Sequence, residues 1–221
     1  MKSFLFSLLL IVGDTSKDAD VIGMSNNLIH EDAEDGLRLA FESSVRLTSI
    51  SASGGSFGSG NLFTYKGEQY IITANHVIEG TLFLDILEKN GNTESGTVLI
   101  SIPELDLAII KPTKKLSGTY ASEFELSRGN KLGKKVFHCG HPLGVPFNLS
   151  KGMITGYEPE GYIIDSIALP GTSGSVVFDG DGKVVGVVVS IASIGESPNI
   201  QLIEGIVRVV PIDLTYILDM R

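Results

Sequence analysis

The chain has 221 residues, 43% of them hydrophobic, enough to bury a sizeable core as one large or two small domains. Seventeen basic against 26 acidic residues give a net charge of −9, and the basic residues are scattered, which argues against nucleic acid or an anionic membrane surface as partner. Cys139 is the only cysteine, so an intrachain disulfide and the small disulfide-rich classes are excluded; it reads as a buried small apolar side chain.

In chain order, Lys2 and the apolar run 4–12 resemble the charged and hydrophobic regions of a secretory signal, too short to span a bilayer in the usual way. Gly13 is a small residue at the end of that run, without an A-x-A pattern. If the segment is a signal, the protein is secreted or periplasmic; if it instead packs on the domain or a partner, the protein is cytoplasmic or virus-associated. Residues 14 to about 40 carry Asp14, Asp18, Asp20, Glu31, Asp32, Glu34 and Asp35 and read as an acidic arm, with a weak helix over 34–44. Residues 1–40 thus form one segment and 41–221 the folded domain.

From Val45 onward, short apolar or alternating runs are broken by turn signals. Strands are predicted at 45–50, 61–65, 69–73, 97–102, 107–111, 135–139, 152–157, 162–164, 175–178, 184–192 and 205–210. Lys66-Gly67, Asn90-Gly91 and Asp179-Gly180-Asp181-Gly182 supply residues that tolerate the positive φ of tight turns. Many short strands with little helix point to an all-β sandwich or barrel. The strands fall into groups at about 41–115 and about 130–212, joined by a Ser-, Gly- and Lys-rich connection over 113–134, and a terminal helix is predicted over 213–220.

Three segments carry chemistry. Pro170-Gly171-Thr172-Ser173-Gly174-Ser175 sets a serine between glycines that allow a tight turn. A serine hydroxyl is a weak nucleophile until a base takes its proton and N–H donors stabilise the oxyanion. His76 follows the β-prone run Tyr70 to Thr73, and a histidine just past a strand end can face a cleft and shuttle a proton near neutral pH. Asp106 heads the apolar run Leu107 to Ile110 and could hold the second imidazole nitrogen. His30, His138 and His141 lack the small-residue run Thr73-Ala74-Asn75 that precedes His76. Each residue alone also has an ordinary structural reading. Together they give His, Asp and Ser in one of the known chain orders of the acyl-transfer triad, with nucleophile and base on different halves and a cleft between.

These residues resemble the trypsin-like serine proteases of the chymotrypsin fold, and most of all the HtrA/DegP type. Gly58-Ser59-Gly60 resembles the family's G-S-G, and Thr73-Ala74-Asn75-His76-Val77 its T-N-x-H-V with Ala74 replacing the first Asn. Asp106-Leu107-Ala108-Ile109-Ile110 resembles D-[IL]-A-[VL]-[IL]. Gly140 to Gly144 resembles G-x-P-[FL]-G, Lys151 to Ile154 resembles S-G-I-[VI], and Asp181 to Val187 matches D-G-x-[VL]-[IV]-G-[IV]. Asp165 precedes Ser173 by eight residues, as in that family.

The resemblance implies two six-stranded antiparallel β-barrels with a short C-terminal helix. It implies a serine endopeptidase with catalytic His76, Asp106 and Ser173, and an oxyanion hole at Gly171, Thr172 and Ser173. It further implies substrate contacts from Ile167, Ala168 and Leu169 and from Val188, Val189, Ser190 and Ile191. The partner would be a polypeptide, with no metal and no cofactor; a homo-oligomer stays open. The mainly apolar character of the contact residues points to small or medium apolar residues before the scissile bond. Thr172 replaces the family's Asn or Asp, and Ser175 replaces glycine as in bacterial glutamyl endopeptidases, whose glutamate-reading histidine would fall near Val188. No PDZ domain is expected after the terminal helix, and there is no Ile-Val-Gly-Gly activation site. The other readings are a catalytically idle pseudoprotease that holds peptides and a viral or phage processing protease.

Overall fold

The structure is a computed structural model that describes residues 29–52, 54–194 and 201–219. The signal-like run 4–12 and most of the acidic arm lie outside the described residues. Among the described residues, twelve strands form two closed antiparallel barrels. Strands β1 (Ser44–Ser51), β2 (Gly54–Tyr65), β3 (Glu68–Ala74), β4 (Thr81–Leu87), β5 (Thr93–Ile102) and β6 (Leu107–Pro112) close in the order β1-β2-β3-β6-β5-β4. Strands β7 (Lys135–Gly140), β8 (Asn148–Glu158), β9 (Gly161–Asp165), β10 (Val176–Asp179), β11 (Val184–Ile194) and β12 (Gln201–Val210) close in the order β10-β11-β12-β9-β8-β7. This is the expected pair of six-stranded barrels.

Strand β4 was not among the predicted strands. Its sequence, TLFLDIL, sets Leu82, Phe83 and Leu84 side by side before Asp85 interrupts the run; Leu84 and Ile86 point inward while Leu82 and Phe83 stay exposed. Pairing with β1 and β5 settles as strand a segment whose consecutive apolar residues hide the alternation. The Lys66-Gly67 turn has φ of 50° and 81°, the double positive value of a tight hairpin. The second barrel buries β-branched side chains: Val136, Ile154, Ile164, Val177, Val185, Val188, Val207 and Val209 form its interior. Cys139 is fully buried, and burial pushes its thiol up to about 12, so it acts as an apolar filler.

Helix α1 (Asp35–Glu42) docks the end of the arm on the second barrel. Gly36 and Ala40, one turn apart, are its buried residues; a Cβ on Gly36 would sit 1.9 Å from the Asp179 carbonyl oxygen. Lys89 Nζ caps the far end on the carbonyls of Phe41 (3.0 Å) and Glu42. The two barrels are joined by Asn61 of β2, which is fully buried and accepts the Val176 N–H at 2.8 Å. An aromatic chain also crosses between them, with ring centroids 5.5 Å apart for Phe63–Phe124 and 5.3 Å for Phe124–Phe178. A short helix, Leu214–Asp219, ends the described chain within the predicted span; Met220 lies outside the described residues.

Candidate active site

The register between β3 and β6 brings His76 and Asp106 together. Ala74 pairs with Leu107 and Thr73 with Ala108, so the next antiparallel step sets Asn75 opposite Asp106. Both strands stop there. Ala74 keeps extended angles and hands the chain to the one-turn helix α2 (Asn75–Ile78), which carries His76. On the other side a 3₁₀ turn, Pro103–Leu105, ends at Asp106 in the left-handed region (φ 53°, ψ 43°). Aspartate tolerates that conformation better than most side chains. The Asn75 N–H donates to the Asp106 carbonyl at 2.9 Å, and the Asn75 Oδ1 accepts the Ser101 hydroxyl at 2.5 Å, so the residue before His76 is held at both ends. The Asp106 carboxylate then takes the His76 backbone N–H on Oδ1 at 2.8 Å and the His76 Nδ1 on Oδ2 at 2.7 Å. Nδ1 is thereby the protonated nitrogen of the neutral ring, and Nε2 is left as the basic one.

Ser173 sits in the turn between β9 and β10, where the peptide planes are set by pinned carbonyls. Pro170 O accepts the Leu143 N–H at 2.7 Å, Gly171 O the Ser59 hydroxyl at 2.7 Å, and Ser173 O the Ser59 N–H at 2.9 Å. Thr172 O accepts the Ser175 hydroxyl at 2.8 Å and its N–H at 3.2 Å. In a trans peptide the C=O and the next N–H point opposite ways. The Gly171 and Ser173 N–H groups therefore point away from Leu143 and Ser175, respectively. Gly171 and Gly174 have φ of 99° and 91°, and a Cβ on Gly174 would lie 2.3 Å from Thr73 Oγ1 and 3.0 Å from Ala74 N. That contact sets the turn directly against the end of the strand leading to His76.

Two residues that depart from the family pattern have work inside this turn. Thr172 Oγ1 accepts the Leu169 N–H at 3.2 Å, and the buried Ser175 holds the Thr172 carbonyl. Neither role is visible in a string of letters.

Some expected site residues are corrected. The Thr172 N–H donates to Leu169 O at 2.9 Å, so it cannot serve an oxyanion. Val188 is fully buried in the second barrel; its N–H donates to Ser175 O (2.9 Å) and its carbonyl accepts from Gly174 (2.8 Å), leaving nothing for a substrate strand. The Val189 side chain is also buried. Ser190 is exposed and Ile191 half-buried, beyond the Val176–Val187 pair that ends the contact between β10 and β11. Ile167 is 76% exposed, with Ala168 and Leu169 half-buried behind it. A recess of about 470 Å³ opens beside Ile167 and is lined also by Lys151, Met153, Asp165, Ser166 and Gly205. Lys151 and Asp165 both line this recess, a proximity the sequence motifs do not reveal because strands β8 and β9 meet only in the folded barrel.

The other histidines are unsuited to proton transfer with a substrate. His138 and His141 are buried; burial holds His138 down at about 4 and, with Arg46 nearby, His141 at about 3. His30 is exposed on the arm, bonded to Asp32. Among the described residues, no group of three or more His, Cys, Asp or Glu side chains is arranged to hold a metal ion, and no helix is long and apolar enough to cross a membrane.

Comparison with known proteins places this geometry in context. The sequence signature of the trypsin-like peptidase domain matches residues 43–187. The chain is 34% identical over 147 residues to a probable periplasmic DegP-like serine endoprotease of Bartonella henselae, covering 62% of this chain and 28% of that protein. It is 32% identical over 145 residues to the Do-like serine protease HtrB of Bacillus subtilis, covering 58% and 31%. The chain thus spans less than a third of the length of either relative. In fold it matches a serine endoprotease of Yersinia pestis (TM-score 0.66, 23% identity, 84% of this chain and 63% of that one). It also matches the HtrA-type protease AlgW with a tripeptide (TM-score 0.67, 24% identity, 84% and 60%).

Proposed function

The chain belongs to the trypsin-like peptidase domain family of serine proteases, and from its similarity to HtrA/DegP-type proteases we propose that it is an endopeptidase of that type acting through Ser173, His76 and Asp106. The observation that carries this reading is the double grip of the Asp106 carboxylate on His76, with the glycine-flanked Ser173 turn packed against the strand end that bears the histidine.

In this mechanism, Ser173 Oγ attacks the carbonyl carbon of the scissile bond while His76 Nε2 takes its proton. Asp106 holds Nδ1–H and stabilises the imidazolium. The negative oxygen of the tetrahedral intermediate is met by the Gly171 and Ser173 N–H groups. His76 then gives its proton to the departing amine, the C–N bond breaks, and an acyl ester remains on Ser173. Water, deprotonated by His76, attacks that ester; the acid is released and the proton returns to Ser173.

An extended substrate adds along the edge of β11 at Val189 to Ile191 by backbone pairing, and Ile167 and Ala168 supply the apolar contacts for the residue before the scissile bond. One positive and one negative group, Lys151 and Asp165, stand at the neighbouring recess, so neither sign of charge is favoured. Small or medium apolar residues are the preferred class. A peptide library digested by the protein and by Ser173→Ala tests both parts. Cleavage after Ala, Val or Leu that disappears in Ser173→Ala is the expected result. Preferred cleavage after Arg, Lys or Glu refutes the specificity, and equal, negligible turnover by both proteins refutes the enzyme reading in favour of an idle peptide-holding module.

A further inference from the structure

We infer that Ser59, contributed by the opposite barrel, is a positioning residue that sets the oxyanion hole of the Ser173 turn. This rests on the proposed endopeptidase reading. Ser59 lies on β2, is fully buried, and uses every polar group it has. Its hydroxyl donates to Gly171 O at 2.7 Å and accepts the His141 N–H at 3.0 Å. Its backbone N–H donates to Ser173 O at 2.9 Å, and its carbonyl accepts the Thr73 hydroxyl at 2.7 Å.

These bonds hold the peptide planes that flank the two carrying the oxyanion donors. The hydroxyl fixes the Gly171–Thr172 plane, which lies between the two donor planes Pro170–Gly171 and Thr172–Ser173. By holding the His141 N–H, it also anchors the turn whose Leu143 N–H holds the Pro170 carbonyl, and hence the Pro170–Gly171 plane whose far side is the Gly171 N–H. The fit is close: a Cβ on Gly171 would lie 2.4 Å from His141 O, so the two segments have no slack between them. Leu143 adopts φ 52°, a conformation costly for leucine, which the surrounding bonds must enforce. Removing the hydroxyl leaves a carbonyl and an N–H unpaired beside the hole, and each gains by rotating toward another partner. Ser59 touches no substrate; it acts through the Gly171 and Ser173 backbone.

The test compares wild type with Ser59→Ala and the near-isosteric Ser59→Cys, whose thiol bonds more weakly. Removing a direct oxyanion donor costs about 10²–10³ in rate, so an indirect loss of aim is expected to lower kcat about 10- to 100-fold with KM nearly unchanged, Cys falling between. A merely structural role would lower the fraction of active sites, so rates are normalised to the burst amplitude. The sharper readout is inhibition by a peptidyl trifluoromethyl ketone, which forms a tetrahedral oxyanion on Ser173, against the matching alcohol, which does not. Binding of the ketone should weaken in parallel with kcat while that of the alcohol stays constant. Equal losses for ketone and alcohol, or an unchanged kcat per active site, overturn the assignment while leaving Ser173 as nucleophile intact. If Ser59→Ala fails to fold, Ser59→Cys alone decides between the same outcomes. A wild type that shows neither burst nor ketone adduct overturns the endopeptidase reading and this one with it.

Discussion

The Asp106 carboxylate holds His76 by two different bonds, one oxygen on the backbone N–H at 2.8 Å and the other on Nδ1 at 2.7 Å. The first fixes where the residue sits; the second fixes how the ring turns and which nitrogen carries the proton. Asp106→Asn separates these tasks. An amide oxygen can still accept the backbone N–H, but the amide NH₂ then faces Nδ1 and favours the wrong tautomer. The fold is expected to persist while kcat falls about 10⁴-fold at neutral pH. Steady-state kinetics with a thermal melt checks this; a fall of less than tenfold would contradict the assigned role.

Gly174 is the second point of precision. A Cβ there would meet Ser59 O at 2.1 Å and Thr73 Oγ1 at 2.3 Å, at φ 91°. Gly174→Ala is expected to cost about 3 kcal/mol or more, lowering Tm by roughly 6–12 °C, and to remove activity. Gly67 has a similar φ of 81° but nothing within 4 Å, so Gly67→Ala should cost only about 1 kcal/mol and leave activity unchanged. Equal effects of the two substitutions would show that the contact with the first barrel is unimportant.

Thr172→Val tests why threonine is tolerated before the nucleophile. Valine keeps the shape but leaves the Leu169 N–H without its acceptor, at a cost of about 1–2 kcal/mol. Chemical denaturation should show that loss. Thr172→Ser keeps the hydroxyl and should show almost none. A valine variant as stable as wild type would remove the hydroxyl from the account.

These residues also mark how far the sequence could be read. The two barrels were legible because alternation and turn glycines announce most of the strands, and His76, Asp106 and Ser173 stood out as candidates because they sit in short, ordered motifs. Strand β4 was not, since its alternation is confined to Leu84-Asp85-Ile86 behind the adjacent apolar pair Leu82-Phe83, and its pairing with β1 and β5 makes it a strand. Ser59 was noted only as part of a Gly-Ser-Gly string; its bonds reach 112 residues along the chain to Gly171, and no local pattern encodes such a contact. Val188 was misread because a strand's sequence does not say which neighbour has already taken its backbone groups.

Stability should fall on mild acidification. His138 and His141 are held neutral by burial, with folded values near 4 and 3, against an ordinary value near 6.5 in the unfolded chain. Below pH 6.5 the unfolded chain binds more protons than the folded one, so this stability is complete above pH 6.5 and is lost as pH falls toward 4. The slope is up to roughly 1.4 kcal/mol per pH unit for each histidine. Urea midpoints between pH 7.5 and 4.5 should follow that descent, and His138→Gln should flatten it. A midpoint that holds steady or rises across this window contradicts the burial argument.

Everything proposed for this site depends on Ser173 being a nucleophile activated by His76. The most direct measurement of this is covalent labelling by a fluorophosphonate probe, with the adduct mapped by mass spectrometry. One adduct per chain is expected, on Ser173, formed rapidly by the wild type, at least about 10³-fold more slowly by His76→Ala, and not at all by Ser173→Ala. Equal, weak labelling of all three proteins, or an adduct on another residue, would contradict it.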